Sequence, residues 1–421
     1  MEAAMLKIKM FRIVVLIAVL LLSSLAVTAQ DSVNITFWSP FTGPDGQVIE
    51  AMVNDFNQSA GPEAGVNVEL LIVPWDEYYT KLTVSMASNQ APNLAISHSH
   101  RVPAFAQEGT LLPFTPEALE SLSINSDDYL PALWNAGEYE GARYALPIDA
   151  FPRNIYYNKT VFENAGLDPE VAPTNMEELV AALEAIKASG GEETIPLYFG
   201  TTGSWAIRDF LTLYWQFEPN LLNEDGTGVS PNFHEAATQA LEITTGFIED
   251  GYAVATPGDW TALFAQNQVG IGFAQITHLL SLSQIEGLEF GTGVFPVLGE
   301  EPATFALGHN FILPAGSGQD EAHVNASLTF IDWFGDNAFE WAAGGKVPAT
   351  FAVIEDPEFE TLESQAIVTS QMDYMKLPPI IPQQSEIDVI LQENVEAVYG
   401  GQSSIEDAVN RMAGEINNLL G

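Results

Sequence analysis

The chain has 421 residues, 47% of them hydrophobic, with 13 Lys+Arg against 56 Asp+Glu and a formal net charge of −43. That size and apolar content suit a globular protein of about two domains, while so acidic a chain argues against a nucleic-acid partner or an anionic membrane surface, neither of which would meet a basic face. There is no cysteine, which removes disulfides, thiolate zinc sites, cysteine nucleophiles and anchoring through a lipid-modified cysteine. The acidic residues are spread along the sequence rather than gathered in one block, a pattern that serves solubility and would suit a saline habitat.

Residues 1–29 read as a signal peptide. Lys7, Lys9 and Arg12 form a basic region, 13–22 is an apolar run, and Val27-Thr28-Ala29 supplies the small-residue cleavage pattern. The apolar run is far below the ~20 residues that span a bilayer, so cleavage after Ala29 and export are expected. No later stretch is long and apolar enough to cross a membrane, and the mature chain is expected to be soluble.

Strand and helix then alternate. A strand is predicted at 33–38; after the turn Thr42-Gly43-Pro44-Asp45-Gly46, apolar residues at Val48, Ile49, Met52, Val53 and Phe56 recur at helical spacing. Val66, Val68, Leu70 and Ile72 alternate with period two, a helix is predicted over 76–88, a strand at 94–97 and a helix from 102. This order predicts an α/β unit with an open parallel sheet, whose ligands sit beyond the carboxyl ends of the strands. A second unit begins after Pro147, with strands at 155–157, 195–198, 269–273, 290–296 and 305–313. Its helices are predicted at 176–187, opened by Pro173 and capped by Thr174, then at 205–217, 231–250 and after Thr277; two more, 386–399 and 404–420, close the chain.

These segments carry a family resemblance over essentially the whole mature chain. The pieces are Ile35-Thr36-Phe37-Trp38 with Phe41-Thr42-Gly43-Pro44-Asp45-Gly46, Pro74-Trp75-Asp76-Glu77-Tyr78-Tyr79, Ala91-Pro92-Asn93-Leu94 leading to His98, and Tyr144-Ala145-Leu146-Pro147-Ile148-Asp149. Tyr156-Tyr157-Asn158-Lys159, Gly308-His309-Asn310-Phe311 and Gly345-Lys346-Val347-Pro348-Ala349 complete the set. In order and spacing they resemble the family 1 extracellular solute-binding proteins of ABC transporters, the sugar-binding group that includes maltose-binding protein. The resemblance implies a type II periplasmic-binding-protein-like fold: two α/β lobes joined by a hinge that the chain crosses three times, near 150–153, 306–310 and 350–357. Lobe one would be 30–149 plus 311–349, and lobe two 152–305 plus 358–421. It also implies a monomer that closes on its ligand and presents both lobes to the membrane permease of an ABC importer, needing no cofactor and no metal.

A neutral sugar needs flat aromatic faces for its C–H side and planar polar groups for its hydroxyls. Trp38, Trp75 and Tyr79 in lobe one, and Trp205, Trp260 and Phe273 in lobe two, are the candidate aromatics; each competes with burial in a core. Asp45 is either a hydroxyl acceptor or a helix cap. His98 and His100 end the third predicted strand and flank the expected cleft, where no carboxylate or thiol cluster completes a metal site. By the resemblance, Asp149 and His309 stand at the first two crossings and Lys346 begins a turn facing the cleft. One departure is visible: many relatives place a Gly-x-Trp after the strand corresponding to 269–273, whereas here the sequence is Gln275-Ile276-Thr277-His278, so His278 replaces a stacking platform and malto-oligosaccharide specificity is put in doubt. Two other ligand classes keep the fold, a phosphoester held by Lys346, Arg101 and Arg153 and a polyamine held by Asp45 and Asp149 between aromatics. A secreted carbohydrate-active enzyme is the rival from another class, but no Gly-x-Ser-x-Gly elbow or His-Glu-x-x-His helix occurs, and no P-loop.

Overall fold

The computed structural model describes residues 32–421 apart from 192, 257 and 317; the leader read at 1–29 lies outside the described residues. Among them no helix is long and apolar enough to cross a membrane. The architecture is set by two sheets. In the first, Val66–Ile72, Val33–Ser39, Leu94–His98, His309–Pro314 and Leu111–Leu112 lie side by side in that order, and Ala145–Pro147 also pairs with His309–Pro314. In the second the order is Met375–Lys376, Thr304–Leu307, Asp149–Asn158, Val269–Gln275 and Ile195–Tyr198, with Phe290–Val294 and Val347–Pro348 also paired to Asp149–Asn158.

The β-α-β reading of the first unit is realised: Val33–Ser39 pairs in parallel with Val66–Ile72 and with Leu94–His98, Val33 opposite Val66 and Phe37 opposite Leu94. The sheet is nonetheless mixed, because His309–Pro314 runs antiparallel to Leu94–His98, with His309 opposite His98. The single strand predicted at 305–313 is two strands, Thr304–Leu307 in the second sheet and His309–Pro314 in the first. Gly308 separates them. A Cβ there would lie 3.0 Å from the Asp149 carbonyl oxygen and 3.1 Å from Ser99 Oγ, so a side chain would crowd the passage and its neighbours would have to give by a few tenths of an ångström.

The chain also passes between sheets at Ile148, between Ala145–Pro147 and Asp149–Asn158. On the way back, Val347–Pro348 already pairs with Ala150 and Asp149, ahead of the 350–357 segment read as the third crossing. That segment starts instead at the short helix Phe351–Ile354, tied back by the Leu130 N–H donating to the Ala349 carbonyl.

Each sheet has its own core. Ile35, Phe37, Phe56, Leu94, Phe311 and Phe330 are buried together on the first, and Ile155, Leu197, Phe210, Leu241, Ile271 and Leu391 on the second. Strand Val33–Ser39 alternates as the pleat requires, with Ile35, Phe37 and Ser39 buried and Trp38 between them half-buried on the opposite face. Helix Met176–Ser189 is capped by Asn175, whose side chain accepts from Glu178 N, rather than by Thr174. Thr174, the residue before the cap, instead donates from both N and Oγ1 to the Glu178 carboxylate, which ties the incoming chain to the first turn.

Candidate functional site: a cleft between the two sheets

The cleft opens where the strand ends of both sheets face one another, and encloses about 430 Å³. The first sheet's side supplies Phe41, Thr42, Asp45, Trp75, Asp76, His98 and His309; the second side supplies Phe151, Ser204, Trp205, Arg208, Gln275, Thr277 and His278. Six residues expected from the sequence therefore line it: Asp45, Trp75, His98, Trp205, His278 and His309. A wider groove of about 700 Å³, lined by Val48, Met52, Leu280, Trp333 and Glu340 among others, has polar groups but a single aromatic ring.

The first wall is an interlocked stack. The indole of Trp75 and the His98 imidazole lie 4.4 Å apart and 9° from parallel, His309 stacks 4.3 Å from Phe151, and Phe41 meets His309 edge-on at 4.7 Å. Tyr79 stands behind. Its hydroxyl accepts from His98 N at 3.0 Å and sits 2.8 Å from His98 Nδ1, which fixes the plane of the ring. Burial holds the imidazole well below its usual pKa, in keeping with a neutral ring.

Asp149 also lies behind the wall. Its fully buried carboxylate accepts from His309 Nδ1 at 2.8 and 2.9 Å, from His309 N at 3.1 Å and from Trp341 Nε1 at 2.8 Å, which leaves Nε2 of His309 for the cleft. His100 is a layer further back: burial pushes its pKa down to about 3, and its Nε2 is 3.8 Å from Asp388 Oδ2. Lys346 does not face the cleft. Its ammonium is buried, 2.7 Å from Asp45 Oδ2 and 5.2 Å from the Trp341 ring, because a buried cation needs a carboxylate and the first turn of helix Gly43–Gln58 offers one. Trp38 is also outside, since strand alternation turns its ring to the face beneath helix Trp75–Ala87, near Lys81.

The second wall is looser. Trp205, on the first turn of helix Gly203–Trp215, is 37% exposed. Arg208 lies one turn on, its guanidinium 4.8 Å from the Trp205 ring and its Nη1 donating to Gln275 Oε1 at 2.7 Å; burial lowers its pKa to about 10. Arg208 is not among the residues expected from the sequence, although the spacing Trp205-x-x-Arg208 puts both residues on one helical face. Gln275, whose Nε2 donates to the Phe151 carbonyl, was missed for want of any local pattern. His278 has its pKa pushed down to about 4 by burial, and its ring lies 5.3 Å from Trp205 and 5.5 Å from Trp260.

Beyond Trp205 and His278, which line both, lies a side pocket of about 250 Å³ also lined by Arg153, Tyr198, Trp260, Thr261 and Phe273. Trp260 and Phe273 thus belong to this pocket. Arg153 and Asp209 are buried together at its base: Arg153 Nε donates to Asp209 Oδ1 at 2.7 Å, Nη2 donates to the same oxygen, and Gly200 N donates to Asp209 Oδ2 at 2.6 Å. Among the described residues no group of acidic, histidine or cysteine side chains could hold a metal ion.

Two α/β lobes, joined by repeated passages of the chain and enclosing a cleft lined from both sides, define a ligand-capturing protein of the type II periplasmic-binding class. The chain belongs to the family of bacterial extracellular solute-binding proteins, whose model matches residues 42–339. Similar proteins include a binding protein of Brucella abortus (strain 2308), 25% identical over 425 residues with 96% of each chain covered. Another is the sn-glycerol-3-phosphate-binding periplasmic protein UgpB of Salmonella typhimurium, 24% identical over 436 residues, covering 94% of this chain and 95% of the relative. Among solved structures, the cyclic α-maltosyl-1,6-maltose binding protein of Arthrobacter globiformis superposes with a TM-score of 0.76 at 26% identity, covering 92% of this chain and 99% of that one. The maltose-bound MalE3 of T. maritima does so at 0.80 and 20%, covering 92% and 100%, and shares the fold.

Proposed function

We propose that this protein is the extracytoplasmic binding subunit of an ABC importer and that its cleft captures a sugar. The observation that carries the reading is the composition of one enclosed space: Trp75 from one lobe and Trp205 from the other, with the planar hydrogen-bonding groups of His98, Gln275, His278 and His309 between them. Aromatic faces take the C–H side of a pyranose, and imidazole and amide groups offer hydroxyls donors and acceptors. The sugar-binding protein of Arthrobacter globiformis supports the assignment. Ligand bound on one wall gains contacts to the other only when the lobes close, which shifts the population toward the closed form. The closed pair then presents a joint surface to the permease. Export by the leader at 1–29 places the protein outside the cytoplasm.

One observation favours a second reading, a polyol phosphate. Arg208 reaches the cleft wall with Gln275 as its partner and makes no ion pair among the described residues, and a phosphate would supply one; the UgpB relatives are named for such a ligand. A thermal-shift screen of residues 30–421 against mono-, di- and oligosaccharides, glycerol phosphates and spermidine separates the two, because a ligand of the folded state raises the melting point by mass action. A rise with sugars that is lost in Trp205→Ala supports the sugar. A rise with glycerol phosphate alone, lost in Arg208→Gln, overturns it.

A further inference from the structure

Lys346 is the only fully buried lysine among the described residues. Its Nζ lies 2.7 Å from Asp45 Oδ2, its one ion-pair partner there, and no aligned hydrogen bond satisfies the ammonium. A buried cation is tolerated only beside an anion, so Asp45 stands as a carboxylate whose charge is answered in place. Asp45 itself is not sealed off: its side chain is 20% exposed and lines the main cleft. The residue thus joins a buried cation to the ligand space.

The turn that carries Lys346 is built to deliver it there. Gly345 takes φ +88°, a conformation that glycine adopts without strain. A Cβ on Gly344 would fall 3.1 Å from the Val48 side chain, so the turn is pressed against helix Gly43–Gln58, whose first turn bears Asp45. Lys346 N also donates to the Ala342 carbonyl.

The charge of the cleft decides which ligands this arrangement serves. The chain carries 56 acidic residues against 13 basic ones and attracts cations at long range, so excluding them from the cleft needs a local device. Asp149, the other carboxylate at this wall, is fully buried and accepts from His309 and Trp341. Asp76 lines the cleft but is exposed, where water weakens its pull. With Asp45 held by Lys346, no partly buried carboxylate of the cleft lining is left uncompensated.

We infer that Lys346 is a positioning and specificity-determining residue: from behind the cleft wall it holds the Asp45 carboxylate as a compensated acceptor for a neutral hydroxyl, and so bars organic amines from the site. The inference rests on the sugar reading above, and the test separates the failure of either. Isothermal titration of residues 30–421 is run with mono-, di- and trisaccharides of the common hexoses and pentoses and with spermidine, on the native protein and on Lys346→Met, which keeps the side chain's length and removes its charge. Spermidine binding is counted only where adding Asp45→Asn abolishes it, so adsorption elsewhere on the acidic surface is set aside. The native protein should bind a saccharide and not spermidine; in Lys346→Met, sugar affinity should fall about 10-fold and spermidine binding should appear. A lysine that only stabilised the fold would give a loss of sugar with no amine gained. That result overturns the inference, as do unchanged sugar affinity in Lys346→Met and spermidine binding by the native protein. Two double variants leave no buried charge at this point, so the outcome does not hang on the single variant folding. Lys346→Met with Asp45→Asn should bind sugar at least ~5-fold more tightly than Lys346→Met with Asp45→Ala; equal affinities overturn the acceptor and the inference with it. Absence of binding to any saccharide overturns the sugar reading, and the amine result then decides the compensation by itself.

Discussion

The two walls of the cleft are built on opposite plans. On the first sheet, each ring is held by another group: His98 between Trp75 and the Tyr79 hydroxyl, His309 between Phe151, Phe41 and the Asp149 carboxylate. On the second, Trp205 stands 37% exposed, and Arg153 Nη1 and Trp260 Nε1 have no hydrogen-bond partner among the described residues. The first wall is organised before any ligand arrives, which lowers the entropy lost on binding. The second has contacts still to make. In a protein that works by closure, this division lets ligand dock on the finished wall and draws the unfinished one toward it.

The sharpest way to break the contrast is to remove what organises the first wall. Asp149→Ala would strand three buried donors, and a destabilisation of about 3–5 kcal/mol is expected, read from urea unfolding; a change below about 1 kcal/mol would mean that the wall holds itself together without the carboxylate. Trp205→Ala tests the other side: a loss of at least ~30-fold in affinity with stability altered by no more than about 0.5 kcal/mol, seen by titration and melting of the same samples. Trp75→Ala, in contrast, should lower both.

Acid should tell the walls apart less strongly. His100 and His278 have folded pKa values near 3 and 4, below the usual 6.5, so the unfolded chain takes up protons first and their stabilising contribution, complete above pH 6.5, is lost as pH falls toward those values. Asp388 works the other way: burial raises its carboxyl to about 6, so its protonation favours the folded state as pH falls through that value. His100→Asn should remove about 2 kcal/mol of the stability lost between pH 7 and 5; an unchanged slope in pH-dependent melts would contradict the burial of that ring. Tyr79→Phe is the mildest probe. Without the hydroxyl that fixes His98, about 1 kcal/mol of stability should go, with a few-fold weaker sugar binding and a freer His98 ring visible in its imidazole NMR signals.

Much of this arrangement was legible in the sequence, for reasons that also mark where it stopped being so. Period-two strands and helical apolar stripes are local, and so the main strands and helices between 33 and 107 emerged nearly residue for residue, while the short elements over 111–147 did not. Trp75 and His98 follow from chemistry placed at strand ends and Trp205 from an aromatic at the start of a helix, whereas His278 and His309 come from the family resemblance. What failed depends on neighbours distant in sequence. Lys346 meets Asp45 across some 300 residues, Gln275 is recruited by Phe151 and Arg208, and whether 305–313 is one strand or two is settled by the sheets on either side of Gly308. Trp38 is the instructive case among local signals: the same alternation that identified its strand also assigns its ring to the face away from the cleft.

The strand Asp149–Asn158 bears Asp149 behind the first wall, Phe151 in the cleft and Arg153 at the side pocket. These residues alternate along one pleat, so successive members are spaced by roughly 6.5–7 Å. The strand is thus a ruler whose graduations no side-chain substitution can move. Inserting or deleting one residue would turn every mark after it to the other side, exchanging buried charge for apolar core. New ligand lengths can be reached here only by reshaping the loops around the rod, which keeps the scale constant while the specificity is free to diverge.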